Sequence, residues 1–104
     1  MAPGFEKVAD VSEIASGSMK AVKVGGVEVM LANVDGKFYA LNNKCTHVGG
    51  PLSKGKLEGF DVTCPWHGSK FDVRTGEVVA PPARNPEPTY QVKVEGKSVM
   101  IKSG

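Results

Sequence analysis

Cys45-Thr46-His47 and Cys64-Pro65-Trp66-His67 contain every cysteine and every histidine of this 104-residue chain, with sixteen residues between them. Each cluster offers one thiolate and one imidazole, so the four donors divide into a sulfur pair and a nitrogen pair. Such a set binds metal, and three readings are open. A structural zinc site also uses two Cys and two His, but its usual order is C-x₂₋₄-C followed by H-x₃₋₅-H, and here Cys and His alternate. A Cys45–Cys64 disulfide leaves both histidines without a role. A two-iron cluster with mixed ligation needs two thiolates on one iron and two imidazoles on the other. The glycines that follow, Gly49-Gly50 and Gly68, suit backbone approaching a bulky group because they lack a Cβ.

Read with their neighbours, Cys45-Thr46-His47-Val48-Gly49-Gly50-Pro51-Leu52 and Cys64-Pro65-Trp66-His67-Gly68-Ser69-Lys70-Phe71-Asp72 resemble the two cluster-binding boxes of Rieske proteins. More narrowly, they resemble the small Rieske-type ferredoxins that feed electrons to oxygenases. The resemblance extends to Thr75-Gly76 and to Ala80-Pro81-Pro82-Ala83. It implies one [2Fe–2S] cluster, with Cys45 and Cys64 on the iron that stays ferric and His47 and His67 on the iron that accepts the electron. The outer nitrogens of the two histidines are then expected at the solvent-facing tip. Two ferric ions, two sulfides and two thiolates sum to a neutral core, which accepts an electron more readily than a four-thiolate core. The potential accordingly rises from about −400 mV to about −150 to +300 mV.

The resemblance also implies a function: an electron carrier, not an enzyme, taking electrons from a flavin reductase and passing them to an oxygenase. A small redox subunit of a nitrite reductase is a second possibility within the family, and a zinc-stabilised interaction module is the rival of a different class. An oxygenase needs a further iron on two His and a carboxylate. Both histidines are already committed, so the chain does not supply that site. High-potential members carry an extra cysteine at the positions of Gly50 and Trp66, joined as a disulfide clamp, and a tyrosine at the position of Phe71. Their absence places the expected potential low to intermediate, although Ser69 matches a serine that hydrogen-bonds a bridging sulfide. Pro81-Pro82 matches the family's cluster-covering proline loop. Trp66 is expected to shield the cluster from water, and Pro51 and Leu52 to offer an apolar docking surface.

Composition is consistent with one small domain, residues 1–104. Hydrophobic residues make up 40% and charged residues 23%, and no apolar run reaches membrane-spanning length. The start, Met1-Ala2-Pro3-Gly4-Phe5-Glu6, lacks the basic-then-apolar pattern of a secretory signal. With both cysteines assigned to metal, none remains for disulfides, so a cytoplasmic location is expected. A net charge of +2 without a Lys/Arg run argues against nucleic acid. Lys44, Lys54, Lys56 and Lys70 flank the boxes; they read either as a basic rim steering an acidic partner or as ordinary solvated surface. Gly50 to Lys56 fits G-x-x-x-x-G-K, but Leu57 stands where a phosphate-binding loop needs Ser or Thr.

The fold expectation is all-β: a small antiparallel sandwich or barrel framework with an inserted cluster-binding subdomain at about 43–83. Period-two alternation predicts strands over 20–24, 27–31, 37–41, 90–94 and 98–101. Gly25-Gly26, Asp35-Gly36 and Glu95-Gly96-Lys97 separate them as turns. A short helical turn is expected at 11–15, and Leu57, Val62, Phe71 and Val73 are expected in short strands of the insertion.

Overall fold

Alternating apolar and polar residues become paired strands over 20–24, 27–31, 37–41 and 98–101, as the sequence pattern predicts. The computed structural model describes residues 4–43, 51–65, 68–80 and 86–102. Among these the chain is all-β, apart from single 3₁₀ turns at Val11–Glu13 and Leu52–Lys54. The framework strands are β1 (Phe5–Asp10), β2 (Met19–Val24), β3 (Val27–Val34), β4 (Lys37–Asn42), β9 (Thr89–Tyr90), β10 (Val92–Glu95) and β11 (Ser98–Lys102). Between β4 and β9 lie four strands of three residues each: β5 (Lys56–Glu58), β6 (Asp61–Thr63), β7 (Lys70–Asp72) and β8 (Val78–Ala80). No helix among the described residues is long and apolar enough to cross a membrane.

Three antiparallel sheets result, in the orders β1-β11-β10, β2-β3-β4-β9 and β5-β6-β7-β8. The expected strand over 90–94 is divided. Thr89–Tyr90 pairs with β4 and Val92–Glu95 pairs with β11, so the chain changes sheets at Gln91. The Gln91 carbonyl accepts the Lys102 N–H at 3.0 Å. The pattern did not predict β1, because a register shift between Lys7 and Ala9 breaks its alternation. Val73 lies just past β7 rather than within a strand, yet it is buried to 1% and its N–H donates to the Phe60 carbonyl at 2.8 Å.

The strand β3 is buried on both faces. Val29 and Leu31 point into the framework core with Ile14, Val24, Val99 and Ile101. Met30 and Ala32 point the other way, into a second core with Leu41, Leu52, Val62, Phe71 and Val73. All four of these β3 residues are 0% exposed. The expected insertion therefore packs against the back of the framework, and β3 is the wall the two cores share.

Candidate metal centre

Asn43 ends the framework and opens the first ligand box. Its side chain is almost fully buried, at 1% exposure. Its carbonyl accepts the Leu52 N–H at 2.8 Å, and its Oδ1 accepts the Ser53 N–H at 2.8 Å. On the other side, Asn43 Nδ2 donates to the Glu28 carboxylate and its N–H donates to the Glu28 carbonyl at 3.2 Å. One asparagine thus ties both ends of the first box to β3. Lys44, Cys45 and His47 fall between those ends in sequence; they lie outside the described residues, and so do Trp66, His67, Pro81 and Pro82.

The second box is held at the tip of the β6–β7 hairpin. Thr63 pairs with Lys70, and one step further the Cys64 N–H donates to the Ser69 carbonyl at 2.7 Å. Cys64 is buried to 1% and Ser69 to 0%, so the ladder continues into a covered site rather than fraying into solvent. Cys64 packs in the same core as Leu52, Val62 and Phe71. Leu52 is itself 0% exposed, which corrects the expectation that it forms a docking surface. It anchors the first box against the second.

Gly55 fixes how closely the boxes approach. Its N–H donates to the Leu52 carbonyl at 3.0 Å. A Cβ at Gly55 would sit 1.8 Å from the Thr63 carbonyl oxygen, so only glycine lets the exit of the first box lie on the strand leading to Cys64. Gly76 performs the same service for the proline-containing segment. With φ of +78°, it donates to the Asp72 carbonyl at 2.7 Å and accepts the Glu87 N–H at 2.8 Å. A Cβ there would lie 2.1 Å from the Glu87 carbonyl oxygen. Thr75-Gly76, quoted above for resemblance alone, is thus the point where the turn after β7 grips Pro86-Glu87-Pro88.

Electrostatics reinforces the β7 turn. Arg74 donates to Asp72 from Nε at 3.1 Å and from its terminal nitrogen at 2.8 Å, and its guanidinium lies 4.0 Å from the Phe60 ring centre. Phe60 in turn meets Tyr39 edge-on. The hydrogen bond from Arg74 holds the Asp72 carboxyl below its usual range, and partial desolvation opposes it. An open groove of about 370 Å³ runs past Lys54, Gly55, Lys56, Thr63, Cys64 and Pro65. A larger groove, about 540 Å³, lies by Val24, Pro88, Tyr90 and Lys102 and includes none of the predicted ligands.

The arrangement fits a cluster. A nearly covered thiol residue sits at the end of a hairpin, backed by apolar side chains and faced by a buried serine. The two described ends of the first box are tied together through Asn43, and Gly55 at its exit lies against the strand leading to Cys64. The model of the Rieske [2Fe-2S] domain matches residues 4–99. The ferredoxin component of the naphthalene 1,2-dioxygenase/salicylate 5-hydroxylase systems of Ralstonia sp is 39% identical over 102 residues, covering 98% of each chain. The naphthalene 1,2-dioxygenase ferredoxin component of Pseudomonas aeruginosa is 44% identical over 89 residues, 86% of each. The solved ferredoxin of carbazole 1,9a-dioxygenase from Nocardioides aromaticivorans IC177 superposes with a TM-score of 0.94 at 31% identity, covering 96% of this chain and 98% of that one. The chain belongs to the Rieske [2Fe-2S] domain family. It is a Rieske-type ferredoxin, an electron-transfer component rather than a catalyst.

Sequence reasoning missed Asn43, Glu28 and Gly55 as determinants of the site. A lone buried asparagine has no periodic signature. The position of Asn43 two residues before Cys45, at the start of the predicted insertion, was the available signal.

Proposed function

We propose that this ferredoxin carries single electrons from a flavin reductase to the terminal oxygenase of a system that oxidises aromatic compounds. The observation that carries this reading is the near end-to-end match to free-standing ferredoxin components of naphthalene and biphenyl dioxygenases. A solved complex of oxygenase with ferredoxin in carbazole 1,9a-dioxygenase, whose chain superposes at TM-score 0.90 and 31% identity, supports the same acceptor class. Cys45, His47, Cys64 and His67 are the proposed ligands, and the whole chain, 1–104, is taken as one domain. When bound, the cluster supplies reversible one-electron chemistry. The chain's own residues bury Cys64, root the loop that bears Cys45 and His47 through Asn43, and hold the Ser69 backbone opposite Cys64. Two cysteines committed to iron suit a reducing cytoplasm.

Anaerobically purified protein is expected to contain iron and acid-labile sulfide in equal amounts, and a reduced-state EPR signal of low average g. Reduction by NADH through a flavin reductase, followed by reoxidation on adding an aromatic-ring oxygenase, tests the direction of flow. Zinc without sulfide overturns the proposal.

A further inference from the structure

We propose that the Cys64 end of the β5–β6–β7 sheet is a cationic docking face, met by an acidic surface on the protein that exchanges the electron. This deepens the electron-carrier reading and rests on it. The registers place Lys56 opposite Thr63 and Thr63 opposite Lys70, in one row across three strands. The next row is Leu57, Val62 and Phe71, and the third is Glu58, Asp61 and Asp72. Directly opposed residues share a face, and successive rows alternate faces. The middle row points into the core, where Val62 and Phe71 are 0% exposed. The first and third rows therefore project together from the outer face, about 7 Å apart and opposite in sign.

The cationic row is the one beside the metal ligand, since Thr63 immediately precedes Cys64. Lys54 adds a further charge there, held close by the contact of Gly55 with Thr63. Elsewhere, Lys7, Lys20, Lys93 and Arg74 each meet a carboxylate within 3.0 Å, whereas Lys23, Lys37, Lys97 and Lys102 are in no ion pair among the described residues but are not gathered in one row beside a ligand. No ion pair among the described residues involves Lys54, Lys56 or Lys70. The polarity is local, because the net charge of the whole chain is only +2. A sheet charged this way turns the Cys64 end toward an anionic surface and the Glu58 end away from it. Steering of this kind changes encounter rates by about 10- to 1000-fold at low ionic strength and fades once the Debye length shrinks to about 10 Å.

The test uses cluster-loaded protein and small complex ions of known charge. Reduced protein donates one electron to hexacyanoferrate(III), a trianion, or to hexaammineruthenium(III), a trication, each of which is reduced by one electron. At low salt, Lys54→Gln/Lys56→Gln is expected to slow the trianion reaction at least about fivefold and not to slow the trication reaction. The charge-matched Lys37→Gln/Lys97→Gln is expected to leave the trianion rate within about twofold of wild type. A second readout needs no electron transfer. Hexacyanochromate(III), a paramagnetic trianion, is expected to add broadening to NMR signals at Lys54, Lys56 and Lys70 before those at Glu58 and Asp61. Equal slowing by both double variants, no slowing by either, or uniform broadening overturns the docking face while leaving the carrier reading intact. A preparation without a reducible visible chromophore overturns both.

Discussion

The framework and the cluster-side lobe are built by opposite strategies. The framework relies on strands of up to eight residues, whose alternating side chains specify register many times over. The lobe has strands of only three residues, too short for pattern to hold them. Its geometry comes instead from single positions: a buried asparagine binding two loop amides, and two glycines lying against carbonyl oxygens. Redundancy holds the framework; individual residues hold the lobe.

Substitutions that separate the two regions test this contrast. Gly55→Ala forces a methyl group into the Thr63 carbonyl and is expected to cost about 3 kcal/mol, with iron lost from protein that still shows β-sheet circular dichroism. Asn43→Ala is expected to cost about 2 kcal/mol, because the Ser53 N–H and the Glu28 carboxylate lose their partner, and to lower iron per chain. Val99→Ala, in the framework core, is expected to cost a similar amount, about 2 kcal/mol. Its iron content per folded chain should match wild type. Equal iron loss in the Asn43 and Val99 variants would break the distinction.

Phe71→Tyr sharpens it. If the introduced hydroxyl reaches the Cys45 sulfur, it stabilises the more negative reduced cluster and the midpoint potential rises. A potential that stays level or falls on voltammetry rejects that alignment. The smallest expected effect belongs to the exposed Arg74–Asp72 pair. Arg74 holds the Asp72 pKa below its ordinary value of about 4. The pair's contribution is therefore complete above that value and disappears as pH falls through the lowered folded-state pKa. Arg74→Ala should cost less than about 1 kcal/mol at pH 7, and urea titrations should show the gap closing in acid.

Legibility in the sequence follows the same division. Strands β2, β3, β4 and β11 were readable because apolar and polar residues alternate between glycine-containing turns. Their ends ran a residue or more longer than the pattern, most of all in β3, which continues to Val34. The ligand boxes were readable because thiolate and imidazole chemistry is rare and was concentrated in two places. The bulge in β1, the change of sheet at Gln91 and the two-faced burial of β3 were not readable, since each depends on what packs behind the strand. The role of Asn43 was hidden for the same reason: its partners, Glu28 and Ser53, are fifteen and ten residues away.

The shared wall has a consequence for protein engineering. Because Met30, Ala32 and Leu41 floor the lobe from framework strands, residues 43–83 do not form a portable cassette. Transplanting the redox loops onto another barrel would require carrying that floor along, and a graft without it should collect no iron.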